Sequence, residues 1–255
     1  MRFIIPLCTT LLVALVPVTR GQVRELPYEF DVATIWPSVD VEHGSKLGLR
    51  PGGRLEVIAA TLKRLIMAAY DTTELQIAEG PAWLNQARWD ITATAEGLPS
   101  SVQPEQIAPL LKKLLGDRFG LRVHREMREM PVYRLVVHRG GAKLKATVSD
   151  PPGGADVRGG AGGFHMEARH LSMPRLAQLL SRRAERPVVD RTGLGGDYDL
   201  TLEWTPQMAV GPEQETSDGP TLFTALREQL GLRLEAGREL VEVLVVDEAA
   251  RPTEN

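Results

Sequence analysis

Three carboxylates stand close together in "DRTGLGGDYDLTLEW", residues 190–204: Asp190, Asp197 and Asp199. A fourth, Asp90, lies in the similar stretch "RWDITATA". General acid–base chemistry needs two carboxylates in different environments across a substrate. Asp197 and Asp199 flank Tyr198, so on a strand they share the face opposite its ring. That suits a solvated face, or an aspartate closing a turn onto backbone N–H groups, better than an acid–base pair. Gly193, Gly195 and Gly196 supply positive φ for a tight turn, and Asp190 with Arg191 is placed to cap it. The stretch is read as a β-hairpin connection whose structural residues are Asp190, Gly193, Gly195, Gly196, Tyr198 and Asp199. The rival reading is a hydrolase of cell-wall or extracellular polymer that uses Asp90, Asp190 and Asp199.

Five histidines are available to a metal: His43, His124, His138, His165 and His170. His124 and His138 are expected on neighbouring strands of one hairpin, and His165 and His170 flank another strand. A metal site needs three or four converging ligands, and no stretch places that many on one face. The chain has no HExxH, GxSxG, Walker or GxGxxG motif. Glycines at 159–163 lead into a strand rather than a helix N-terminus, so the phosphate-cradle argument fails. Neither a metal nor a cofactor is expected.

The tryptophans are more suggestive. Trp83 and Trp89 lie six residues apart around a turn in "GPAWLNQARW". Trp89 matches Tyr198 in register and reads as a core plug. Trp83 reads equally as a plug or as an exposed handle for a ligand or partner. The candidate binding surface is therefore Trp83 and Leu84 in one turn, with Arg191 and Leu194 in the other.

These residues need elements to hold them, and the elements occur twice. "RLEVIAATLKRLIMAAY" reads as a strand leading into a helix with Leu62, Leu65, Ile66, Ala69 and Tyr70 on one face. "FHMEARHLSMPRLAQLLSRRA" does the same, with Ser172 as N-cap and Leu176, Leu179 and Leu180 as the stripe. A hairpin follows in each half, and "WDITATA" matches "YDLTLEW". Each half then has a second helix. Pro104 begins one, with Ile107, Leu110, Leu111 and Leu114 inward. Pro220 begins the other, with Leu222, Ala225, Leu226 and Leu230 inward. Gly116 and Gly231 are placed to stop them. Both halves close on "GLR" and a last hairpin.

The expected fold is α+β: two duplicated β-α-β-β-α-β-β modules, each a mostly antiparallel sheet with helices on one face. Module 1 spans 54–148 and module 2 spans 164–255. Between them, 149–163 is Gly- and Pro-rich and reads as a linker. Ahead of module 1, residues 22–53 form an extension with an edge strand in "YEFDVATIWPS", where Phe30, Val32 and Ile35 alternate and Pro37 ends the run.

The first 21 residues have the basic start, short apolar run and small polar exit of a secretory signal peptide. The alternative is an uncleaved N-terminal anchor, which would be the protein's only attachment to a membrane. The single cysteine, Cys8, lies inside the apolar run. The exported chain then carries no thiol for a disulfide or a thiolate metal site. Net charge is −3, so electrostatics gives no reason to expect nucleic-acid binding. A periplasmic or extracellular location is expected.

"LRPGGRLEVIAATLKRLIMAAYDTTELQIAEGPAWLNQARWDITATA", "LLGDRFGLRVHREMREMPVYRLVVHRGGAKLK" and "RPVVDRTGLGGDYDLTLEWTP" resemble a soil-associated exported family of unknown function that is expanded in Acidobacteria. The resemblance runs from about Phe30 to Val246. Shared positions include Trp83, Trp89, Asp90, Pro131, Tyr133 and Asp190, then Thr192, Gly193, Gly196, Tyr198 and Asp199. No catalytic role attaches to any of them. Related domains are fused to membrane metallopeptidases of the beta-lactam-sensor type, which implies a sensing or interaction role outside the cell. The strand–helix–hairpin order is also similar to the short signalling domains of secretins and TonB-dependent receptors, as a fold-level analogy. The function expected is a non-enzymatic envelope interaction, sensing or ligand-binding module. Its partner would be an envelope protein or a small extracellular ligand.

Overall fold

A computed structural model describes residues 29–39, 44–50, 52–95, 104–147, 153–160, 163–205 and 219–252. The expected signal peptide at 1–21, with Cys8, and His43 lie outside the described residues. In chain order the elements begin with β1 (Val32–Pro37), β2 (Lys46–Arg50), β3 (Arg54–Thr61) and α1 (Leu62–Tyr70). They continue with β4 (Ile77–Ala78), β5 (Arg88–Thr94), α2 (Pro104–Phe119), β6 (Arg122–Val137) and β7 (Lys145–Ala146). Then come β8 (Gly154–Gly160), β9 (Gly163–Ser172), α3 (Met173–Ser181) and β10 (Val188–Asp190). The last are β11 (Asp197–Trp204), α4 (Leu222–Ala225) with a π-helical turn at Leu226–Leu230, and β12 (Leu232–Glu248).

The fold is mixed α+β. Twelve strands among the described residues form three four-stranded sheets, accompanied by four helices. The first outer sheet has the order β1-β5-β3-β2, and the second β7-β11-β9-β8. Between them in the topology is a central sheet of order β10-β6-β12-β4.

Local chemistry explains the helices. Thr61 Oγ1 accepts the Arg64 N–H at 3.3 Å and starts α1. Ser172 Oγ accepts the Arg175 N–H at 3.4 Å and starts α3 as its type predicts. Leu62, Leu65, Ile66 and Ala69 are buried along α1; Met173, Leu176, Ala177 and Leu180 are buried along α3. In α2 the helix passes through Gly116 and stops at Gly120, whose φ is +57°. Gly116 is therefore interior, and Gly120 makes the left-handed exit.

Two expectations about strands are corrected. Each "GLR" segment was expected to fold into a hairpin. Instead β6 and β12 are single strands of 16 and 17 residues that pair antiparallel with each other, from Leu232 opposite Val137 to Glu248 opposite Arg122. Neither segment carries a turn dipeptide, so nothing folds it back on itself. The linker reading is also revised locally: Gly154–Gly160 form β8, paired with β9. The physical reason is a backbone ladder that small residues can join close to their neighbour. A Cβ at Gly159 would lie 2.0 Å from the Phe164 ring.

β1 is an edge strand paired only with β5. Its inward residues are Ala33 and Ile35, with Phe30 packed on the same core. Val32 is exposed rather than inward.

Candidate functional site

The two outer sheets have separate cores, and the central sheet closes both. Directly opposite residues in an antiparallel pair share a face. One face of the central sheet carries the odd-numbered residues of β6 and the even-numbered residues of β12. At one end of this face, Val123, Leu244 and Val246 join the core of the first outer sheet and of α1 and α2. At the other end, Tyr133, Leu135, Val137, Leu232 and Leu234 join the core of the second. Between these ends lie Arg125, Met127 and Glu129, facing Leu244, Glu242 and Leu240. Neither core covers Met127 or Leu240, which are 58% and 63% exposed.

Above this uncovered centre is a cleft of about 720 Å³. Its walls are the end of α1 (Tyr70, Asp71), the inner turns of α3 (Ala177, Gln178) and β10; Arg125, Leu240 and Glu242 form its base. Both halves of the chain therefore contribute to one cavity, of a size typical for small-molecule sites. Ion pairs hold the two walls together. Arg175 of α3 and Arg182, the residue that caps its C-terminal end, reach the Asp71 carboxylate at 2.7 and 2.8 Å, and Gln178 Nε2 donates to the Asp71 carbonyl at 2.6 Å. Arg125 pairs with Glu242 across the sheet. Burial pushes the Tyr70 phenol above the usual tyrosine range, and nearby Arg125 opposes the shift.

Of the site residues singled out in the sequence, Asp190 lines the cleft and the others lie outside its lining. "DRTGLGG" is not a hairpin turn: β10 pairs parallel with β6, whereas β11 belongs to the second outer sheet. The segment is a crossover between sheets. Its aspartate does cap, because Asp190 Oδ1 accepts the Thr192 N–H at 2.9 Å and the Thr192 hydroxyl at 2.8 Å. Gly193 and Gly196 have φ of +68° and +81°, whereas Gly195 has no positive φ. The Tyr198 hydroxyl donates to the Gly195 carbonyl at 2.9 Å. Arg191 reaches Glu239 at 2.5 Å, and Arg134 reaches the same carboxylate at 2.6 Å. Two guanidiniums hold Glu239 below the usual carboxylate range, with Arg191 the larger influence. Arg191 thus ties its loop to β12.

Of the four candidate surface residues, Arg191 is exposed, Trp83 and Leu194 are half-buried, and Leu84 is buried. Leu84 is 4% exposed and belongs to the first core, so it cannot be a surface contact. Trp83 is half-buried against that core, with the Arg251 guanidinium 5.9 Å from its ring centre. Leu194 is half-buried against the second core. Trp89 is the expected core plug, edge-on to Phe119 at 5.6 Å.

Asp90 and Asp199 serve the backbone. Each accepts the N–H of a left-handed residue in a β-bulge, Ala59 at 2.7 Å and His170 at 3.1 Å. The Thr147 hydroxyl also donates to Asp199 at 2.7 Å, and these donors lower the Asp199 pKa, Thr147 first and the His170 N–H second. His124 and His138 lie at opposite ends of β6, roughly 45 Å apart at ~3.3 Å per residue, so they do not face each other. His124 pairs with Asp247 at 2.8 Å and His165 with Glu203 at 2.9 Å. Among the described residues no three His, Cys, Asp or Glu side chains are grouped to hold a metal ion. No helix of the described residues is long and apolar enough to cross a membrane.

The sequence reading missed the cleft. Its signal lay in "RVHREMREMPVYRLVV", 16 residues of strand without a turn, whose middle repeats Arg-Glu-Met twice. A strand with apolar ends and a charged centre on one face is what two cores and an open gap require.

The fold and cleft describe a three-sheet α+β protein with one cavity shared by its two halves. The family model described as "Protein of unknown function (DUF3738)" matches residues 63–249, and the chain belongs to that family. No curated protein matches the chain. No solved structure matches it.

Proposed function

We propose that the chain is an exported, non-enzymatic ligand-binding or sensing module, built from two copies of one unit, with the cleft between the copies as its site. The observation that carries this reading is the cleft itself: about 720 Å³, lined from both halves, above strand centres that neither core covers. Export is supported by the basic, apolar and small-polar order of residues 1–21.

Duplication is supported by constant spacing. Ala59 and His170, Thr61 and Ser172, Gly120 and Gly231 each stand 111 residues apart and play the same local part. The short strands follow the same rule with the halves exchanged. Ile77 pairs with Leu244, and Val188 pairs with Tyr133. Each half thus lends its short strand to the long strand of the other. β1 and β2 correspond to β7 and β8, which moves the join between copies to the segment 138–144.

The aspartates proposed for hydrolysis hold a bulge or a turn, so no observation favours the hydrolase reading over this one. The reading is tested by native mass spectrometry of the chain after incubation with the low-molecular-weight fraction of its source's spent medium. A small-molecule adduct is expected on the native chain and absent from Leu240→Trp, which fills the cleft. Adducts equal on both chains, or found on neither, contradict the reading.

A further inference from the structure

We infer that two copies of the chain associate edge to edge through β8, which joins their second outer sheets into one sheet of eight strands. The inference is independent of the cleft and starts from which sheet edges stay open. Among the described residues the edge strands are β1, β2, β4, β7, β8 and β10. β4, β7 and β10 have only two or three residues each. β1 is closed: the Arg118 guanidinium donates to the Ala33 carbonyl at 3.0 Å, and Pro37 has no N–H to offer. β2 and β8 remain, with five and seven residues. An edge of that length presents N–H and C=O groups that another strand can pair with.

Charge decides between the two. When a strand pairs antiparallel with its own copy about a two-fold axis, opposed residues share a face and interact directly. In β2, "KLGLR", an axis at Gly48 sets Lys46 against the partner subunit's Arg50, a like-charge pair. In β8, "GADVRGG", an axis at Val157 sets Asp156 against the partner subunit's Arg158, and Arg158 against the partner subunit's Asp156. The same axis pairs every residue of the strand, from Gly154 against the partner subunit's Gly160 onward. Moving it to Asp156 or to Arg158 shortens the overlap and sets like charge against like. The register with the fullest pairing is therefore also the charge-matched one. On the other face Val157, half-buried against the second core, meets the partner subunit's Val157. Gly154, Gly159 and Gly160 put no side chain over the edge, so a second backbone can approach. Asp156 is poorly placed for its own hairpin, because it stands opposite Glu167 of β9. Its cation within the chain is Arg158, at 2.6 Å, and both side chains are exposed to a partner.

The test is analytical ultracentrifugation of the chain over a concentration series. A monomer–dimer equilibrium is expected with Kd of roughly 10 µM to 1 mM, because one pair of seven-residue strands buries less than a standard interface. Asp156→Arg gives a strand with two arginines, and Arg158→Asp gives one with two aspartates. Each variant alone sets like charges against each other and is expected to dimerise about tenfold or more weakly than the native chain. Mixed in equal amounts, the two variants oppose arginine to aspartate at every charged position and should associate about as tightly as the native chain. Lys46→Glu, on the edge of β2, should leave association unchanged. A native chain that stays monomeric throughout the series overturns the inference. So do charge variants that dimerise as the native chain does, a mixture no tighter than either variant alone, or a Lys46→Glu chain that loses the dimer. Thermal melting shows that the variants are folded. If either substitution unfolds the chain, Asp156→Lys with Arg158→Glu repeats the same exchange of charge.

Discussion

Asp90 and Asp199 hold equivalent bulges in two different sheets, each by accepting the N–H of a residue with φ near +50°: Ala59 for Asp90 and His170 for Asp199. A non-glycine residue in that conformation is strained, and it persists where its surroundings fix it. The aspartates are those surroundings. Asp90→Ala and Asp199→Ala are each expected to lower Tm by a few degrees, to a similar extent, because each strands one backbone N–H. Thermal melts followed by circular dichroism check this. An unchanged Tm in either variant would show that its bulge does not depend on the carboxylate.

The Asp199 contribution should depend on pH. Its pKa in the fold is lowered, so its stabilising effect is complete above the ordinary carboxylate pKa and is lost as pH falls through the lowered one. The Tm gap between native chain and Asp199→Asn is expected to be widest at neutral pH and to close on acidification towards pH 3. A gap that stays constant or widens over that range would contradict the assignment.

The two cores should not melt separately. Leu135 lies on β6 yet packs in the second core, and Leu244 lies on β12 yet packs in the first. Truncating either to alanine is expected to cost about 2–5 kcal/mol. Calorimetry should show one transition for the native chain and for both variants. Two transitions, with Leu135→Ala moving only one of them, would mean that the halves are independent.

Leu84 and Trp83 should separate core from rim. Leu84→Ala is expected to cost about 2–5 kcal/mol, as for any buried leucine. Trp83→Ala should cost less, because its ring is only half-buried beneath Arg251. Urea unfolding of the two variants compares them directly, and a larger loss for Trp83→Ala would reverse the assignment.

Much of the local structure was legible in the sequence because it depends on near neighbours. The helix stripes, the Ser172 cap, the Trp89 plug and the Gly231 stop follow from spacing and residue type within a few positions. Strand partners do not. β4 and β10 have two and three residues, and each pairs with a strand some 55 to 167 residues away. A hairpin is the economical reading for two short apolar runs around a glycine-rich turn, and it placed β10 beside β11 instead of β6. The same error folded β6 and β12 back on themselves, which hid their shared face. Tyr70 then read as one more residue of a helix stripe, and the Arg125–Glu242 pair was invisible because its partners are 117 residues apart.

The cleft between α1, α3 and the central sheet is the proposed functional site. The most direct measurement is a fragment screen by two-dimensional NMR on the isotope-labelled chain, repeated with Leu240→Trp. Fragment shifts are expected to cluster on Tyr70, Arg125, Gln178 and Leu240 and to disappear in the variant. Shifts clustering on Trp83 or Leu194, or unchanged by the variant, would contradict it.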